Sequence, residues 1–148
     1  MPLIIEHEFT VAANQQQLWH VLTDFSQYKK WNPFVVDCEC ELAEGNEITM
    51  QVVMGKSKPR RQVEYINKVE DEIHFSYTSP KKPTFLLRSY RSHSLQVLND
   101  GKTHYQSRFE LHGLLIPILS RLLGPSLEQG FLAMGLAAVA EAERIAQL

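Results

Sequence analysis

The 148-residue sequence has only two cysteines, Cys38 and Cys40, and they stand two positions apart. On a strand such a pair points the same way without the geometry for a comfortable bridge. A disulfide framework is excluded. A zinc site would need CxxC spacing and a second ligand pair, and both are missing. The pair reads as two small buried hydrophobes in a reducing compartment, which predicts a cytoplasmic location. No run of 18 apolar residues occurs, so no membrane-spanning segment is expected. The first residues carry no basic n-region, and Glu6 and Glu8 interrupt the apolar stretch, which argues against a secretory signal. An excess of positive charge is also missing. Lys and Arg number 15 against 17 Asp and Glu, for a net charge of −2. No nucleic-acid partner is expected from such a balance. GxSxG, P-loop, GxGxxG and HExxH motifs are absent, and His20, His74, His104 and His112 form no metal-ligand spacing. The sequence therefore predicts no metal and no cofactor.

What is present is ordinary globular material, 44% hydrophobic and 22% charged. The length fits one domain over residues 1–148, large enough to bury a core without staples. Residues 3–10 are apolar and β-rich, a predicted first strand. Asn14 with Gln17 three residues on makes a capping box for a helix carrying Leu18, Val21 and Leu22. Residues 25–30 form a second short helix that Pro33 ends. From about 34 to 112 the apolar period is two, as in Ile48-Met50-Val52-Met54, Ile73-Phe75-Tyr77 and Tyr105-Phe109-Leu111. That is the mark of antiparallel strands with one covered face. Hairpin turns are expected at Glu44–Asn46 and Asn99–Gly101, and weaker ones near Gly55–Pro59, Glu70-Asp71 and Ser79–Pro83. After Gly113 the period returns to 3.6. Leu127, Phe131, Met134, Ala138, Ala142 and Ile145 share one face of a long C-terminal helix. Gly124-Pro125 is expected to kink or restart it. Gly130 and Gly135 thin one side, so something packs closely there or a space is left open.

Strand, two short helices, about six strands and a long helix make an α+β protein with one antiparallel sheet. A single helix cannot fill the concavity of a strongly curved sheet, so a cavity between the two is expected.

The segment Val21–Phe34, ending Trp31-Asn32-Pro33-Phe34, resembles the helix–helix–WNPF stretch of START-like proteins, the SRPBCC superfamily. That superfamily includes the pollen-allergen fold and bacterial polyketide cyclase/dehydrase-like domains. Asp100–Thr103 and Phe109–Pro117 resemble its last hairpin and the entry to its final helix. Gly130–Met134 and Ala142-Glu143-Arg144 resemble the end of that helix. The resemblance runs in order from about residue 3 to 146. It implies a helix-grip fold, a curved seven-stranded antiparallel sheet with two short helices and one long C-terminal helix around a cavity for a hydrophobic small molecule. It does not imply one reaction. WNPF is read as packing, without a catalytic role.

Strand parity proposes the cavity wall. If Leu95 and Val97 face inward, so do Ser89, Arg91 and His93; on the partner strand Tyr105, Ser107, Phe109 and Leu111 follow. Arg91 and His93 then orient a polar headgroup, or else bond Tyr77, Tyr105 or backbone near the mouth. Met50, Val52, Phe75, Tyr77, Phe109, Leu127, Phe131 and Met134 would line the remainder. His7, on the parity of Ile5 and Phe9, reads as a satisfied core histidine. Lys56, Lys58, Arg60 and Arg61 read as a basic loop, joined by Lys81, Lys82 and Arg88. It is either a solvated face or a dock for an anionic partner or membrane surface.

Three functions are open at this point. The first is binding or transport of a lipid, quinone or polyketide-like aromatic. The second is a cyclase or dehydratase acting in the same cavity, with His93 as the candidate acid–base group and Tyr77 or Tyr105 as proton donor. No carboxylate is placed beside it, since Glu39, Glu41 and Glu110 read as outward. The third is a protein-interaction module. Oligomeric state is not legible.

Overall fold

The structure is a computed structural model describing residues 1–80 and 85–148. Lys81, Lys82 and the turn predicted through Pro83 lie outside the described residues. Seven strands, β1 (Leu3–Val11), β2 (Val35–Cys40), β3 (Glu47–Val52), β4 (Arg60–Glu70), β5 (His74–Thr78), β6 (Arg88–Val97) and β7 (Thr103–His112), form one antiparallel sheet in the order β1-β7-β6-β5-β4-β3-β2. The helices are α1 (Gln15–Thr23), α2 (Tyr28–Trp31, after a 3₁₀ turn over Phe25–Gln27) and α3 (Ile116–Ala146). The helix-grip expectation holds.

The predicted start signals act as read. The Gln17 amide donates to Asn14 Oδ1 at 2.8 Å, and the Asn14 amide donates to Gln17 Oε1 at 3.0 Å. This closes the capping box and satisfies two helix-end donors. Asn32 of the WNPF stretch accepts from the amides of Phe34 and Val35 at 3.0 and 2.9 Å, which turns the chain from α2 into β2. Its role is geometric.

Three expectations need correction. The basic loop is shorter than read, because Arg60 and Arg61 already belong to β4. A restart at Gly124-Pro125 does not occur, since the helix runs on for 31 residues with Pro125 inside it. The lost backbone bond of one proline is offset by packing along the rest of the face. Finally, α3 is long and apolar enough, by length and composition, to cross a bilayer. Its sequence escaped the 18-residue rule because scattered polar residues interrupt it. In the fold its inner face is a core face, with Phe131, Met134, Ala138 and Ala142 buried.

The two thin positions are occupied by rings. Phe34 lies on Gly130 and Phe9 on Gly135, where an added Cβ would stand 2.6 Å from Phe9 Cζ. These contacts seat α3 on the sheet through both edge regions. His7 joins the clasp, its Nε2 lying 2.7 Å from Glu128 Oε1 of α3. It is therefore a half-buried link between β1 and α3 rather than a core histidine.

Candidate functional site

The space between sheet and α3 is filled at one end and hollow at the other. At the filled end Trp19 from α1 meets Phe75 edge-on at 5.6 Å. Phe75 stacks on His93 at 4.7 Å, His93 on Tyr105 at 5.8 Å, and Tyr105 on Phe9 at 5.7 Å. This aromatic ladder crosses four strands and leaves no room between its members. At the other end a cavity of about 450 Å³ opens. Its apolar wall includes Phe34, Met50, Val52, Phe109, Leu127 and Phe131.

The register explains the division. Tyr77 of β5, Arg91 of β6 and Phe109 of β7 are successive Cα partners and form one inward row on the cavity floor. Phe75, His93 and Ser107 form the next inward row, under the ladder. Of the residues proposed from parity, the structure brings Met50, Val52, Tyr77, Arg91, Phe109, Leu127 and Phe131 together around the cavity. Phe75, His93, Tyr105 and Met134 lie behind that wall, each buried in the core. Although Val97, at the strand end, is 60% exposed, parity grouped these residues on the sheet's covered face. It could not say where along the strands the helix stops filling the groove.

His93 is thereby corrected as a candidate. It is fully buried, and its Nδ1 lies 2.6 Å from the Tyr105 hydroxyl. Burial, then the charge of Arg91, holds its pKa well below the usual histidine value. A neutral ring walled off from the cavity has no route to a bound molecule.

Arg91 is the opposite case. It is 2% exposed, yet no carboxylate lies within ion-pair distance among the described residues. Its Nη1 donates to Ser107 Oγ at 2.6 Å and to the Arg108 carbonyl at 3.3 Å. Its Nη2 contacts Met134 Sδ at 3.7 Å, and the guanidinium carbon stands 4.7 Å from the Phe131 ring centroid. Nε has no partner. Hydroxyl, carbonyl and π-face contacts make such a burial tolerable, since an uncompensated buried charge otherwise costs several kcal/mol (roughly, by the Born argument).

Among the lining residues the sequence reading missed, such as Phe34, Leu119 and Leu123, the most consequential is Glu64. It sits on β4, 6% exposed, and lines the cavity on the same wall as Arg91. Its Oε1 accepts from Ser89 Oγ at 3.0 Å and its Oε2 from Gln62 Nε2 at 3.3 Å. Burial pushes its pKa up against the lowering effects of Ser89, Gln62 and Arg91. Tyr77 completes the polar corner; burial raises its phenol pKa. The sequence reading placed no carboxylate beside His93, and Glu64 stands on the cavity wall with Arg91 and Tyr77 instead. The site is a chamber with an apolar wall and a polar side, where the buried Arg91, the Glu64 carboxyl of raised pKa and Tyr77 are joined by Arg60, Arg61, Gln62, Arg88 and Ser89 toward its opening.

An open seven-stranded antiparallel sheet gripping a long C-terminal helix around such a chamber defines a START-like protein. The chain belongs to the polyketide cyclase / dehydrase and lipid transport family, whose model matches residues 2–143. Among solved structures it is similar to the Zhui aromatase/cyclase from Streptomyces sp. R1128, with a TM-score of 0.80 at 18% identity over 97% of this chain and 95% of that one. It is similar to a START superfamily protein from Mycobacterium smegmatis, with a TM-score of 0.66 at 18% identity over 97% of both chains. Norcoclaurine synthase from Thalictrum flavum, in complex with a transition-state analogue, shares the fold with a TM-score of 0.71 at 17% identity over 98% of this chain and 96% of that one. No curated protein matches the sequence. Hydrophobic-ligand binding is consistent with the family and with the cavity.

Proposed function

We propose that the protein binds and carries a hydrophobic small molecule, a lipid, quinone or polyketide-like aromatic, in the cavity beneath α3. The observation that carries this reading is the unfilled 450 Å³ against the apolar surfaces of Val52, Phe109, Leu127 and Phe131. That volume lies in the usual range for small-molecule sites, roughly 300–1,000 Å³. Apolar walls supply affinity by removing ligand surface from water, at about 25 cal/mol per Å². Arg91, Glu64 and Tyr77 orient the ligand's polar end. Cys38 and Cys40 are both free, with Cys40 pushed up to about 11 by burial, and unbridged protonated thiols suit a cytoplasmic carrier. Native mass spectrometry of the protein purified from cells tests the reading. A co-purified apolar mass, displaced by an environment-sensitive dye, is expected; a bare chain that takes up no apolar dye contradicts it.

Glu64 favours a second reading, cyclase- or dehydratase-type catalysis. A carboxyl with a raised pKa in an apolar chamber is suited to general acid–base work. In that reading Glu64 takes the proton from a carbon beside a carbonyl, and Tyr77 donates a proton to the oxygen that gains charge. Glu64→Gln should then abolish turnover of a poly-β-ketone analogue while leaving its binding within about twofold. Equal loss of binding and turnover would return Glu64 to a purely binding role.

A further inference from the structure

The outward face of α3 is apolar where a solvated helix would be polar. Leu114, Ile118 and Leu122 follow at intervals of four and are 72%, 59% and 70% exposed. Leu136 lies 18 residues beyond Ile118, five full turns on, and exposed Leu132 precedes it by one turn, with the exposed Gln129 between them and Leu122. Only 22% of the helix's most apolar window is buried. Exposed Phe85 joins the stripe at its start, because the Leu114 amide donates to the Phe85 carbonyl at 3.1 Å. The exposed apolar cluster at the start of α3, Leu114, Leu115, Ile118, Leu122 and Leu123 with Phe85, is of the kind that marks a contact site.

Around the first half of α3, before Glu128, the charges are of one sign. Three segments meet here: residues 53–63, 85–91 and 113–127. The first reaches α3 at Gly55, where a Cβ would stand 3.8 Å from Ser126 Oγ. The second is bonded to the start of the third through Phe85 and Leu86. Together they hold seven of the chain's 15 Lys and Arg residues and none of its 17 Asp and Glu. Lys56, Lys58, Arg60, Arg61, Arg88 and Arg121 are all exposed, and none pairs with a carboxylate among the described residues. The rest of the molecule carries eight cations against 17 anions, so the basic rim is a local asymmetry and not an overall excess.

We propose that this surface docks on an anionic phospholipid bilayer, with the leucine stripe entering the interface and the basic rim on the headgroups. An apolar helix face flanked by cations fits that partner chemically. A second copy of the chain fits poorly, since a two-fold interface would set the same uncompensated cations against each other. Arg60, Arg61 and Arg88 also line the cavity, as do Leu119 and Leu123 of α3. Docking therefore places the cavity opening at the lipid surface.

Vesicle co-flotation of the whole protein tests the proposal without any cavity ligand. The protein should float with phosphatidylcholine–phosphatidylglycerol vesicles, stay behind with phosphatidylcholine alone, and lose binding at high salt. Lys56→Gln/Lys58→Gln/Arg121→Gln should weaken binding at least about tenfold, given that each cation near an anionic surface contributes roughly fivefold. Ile118→Asp/Leu122→Asp should abolish it. All five positions are exposed, so unchanged circular dichroism is expected of both variants. Equal flotation with neutral and anionic vesicles overturns the proposal. So does no flotation with either, and a concentration-dependent dimer abolished by Ile118→Asp/Leu122→Asp would then assign the face to self-association. The wild-type comparison of lipids and salt decides the question even if a variant fails to fold.

Discussion

His93 and Glu64 are both buried, and burial moves their pKa values in opposite directions. Histidine is the usual acid–base group near neutral pH, but His93 is sealed in the aromatic ladder and held neutral. A base whose folded pKa is depressed contributes stability above its unfolded value and loses it as pH falls. The protein should therefore lose stability as pH drops below about 6.5. His93→Leu should flatten that acid limb in urea titrations between pH 8 and pH 5. At pH 8 it should cost about 1 kcal/mol, because the Tyr105 hydroxyl loses its His93 partner while Ser107 and Arg91 remain beside it. An unchanged acid limb would mean another group controls it. Glu64 works with the opposite sign. A carboxyl whose folded pKa is raised contributes stability below its unfolded pKa and loses it as pH rises through the folded value. Glu64→Gln should raise the melting temperature at pH 8 and leave it nearly unchanged at pH 4. A fall at both values would show that the carboxylate is needed structurally. Glu64 was illegible in the sequence for a physical reason. On β4 the inward residues are Gln62, Glu64 and Ile66, while Val63 and Tyr65 face out, so the alternation points the wrong way.

The same inversion hid much of β4 as an element. A strand is legible when its buried face is its apolar face, and here the cavity makes the buried face partly polar. Strands β1, β3, β5 and β7 read correctly because their inward rows are Ile5, Met50, Phe75 and Phe109 in an apolar core. Helix α1 read correctly because its capping box is local. α3 was legible as a helix but not as an unbroken one, since its continuity through Pro125 depends on packing across the sheet. Gly130 and Gly135 announced a close approach without naming what approaches. The rings are Phe34 and Phe9, from the chain's first 34 residues, and only the fold brings them there. Gly135→Ala should force Phe9 aside and destabilise the protein by about 1–3 kcal/mol, the usual cost of overpacking. Urea unfolding checks this. A loss well below that range would mean the α3–β1 contact gives way without strain.

At the scale of the whole molecule, charge and emptiness are both unevenly distributed. The aromatic ladder fills one half of the helix–sheet space, and the other half stays open beneath the first turns of α3. The element order forecast a hollow, since one helix spans a curved sheet, and the ordered motifs forecast the fold. Its position could not be forecast, because it depends on where α1 and the ladder end. Cavity volume is therefore the property most open to direct manipulation. Leu127→Trp places an indole into the open half, where it should remove ligand room without breaking a hydrogen bond. The most direct measurement is titration of an environment-sensitive apolar dye into the wild type and Leu127→Trp, alongside their urea unfolding curves. Saturable binding with a single site is expected for the wild type, and clearly weaker binding in a Leu127→Trp variant that stays folded, since the indole intrudes on the apolar space that buries the probe. Equal binding by both folded proteins would contradict the cavity as the binding site.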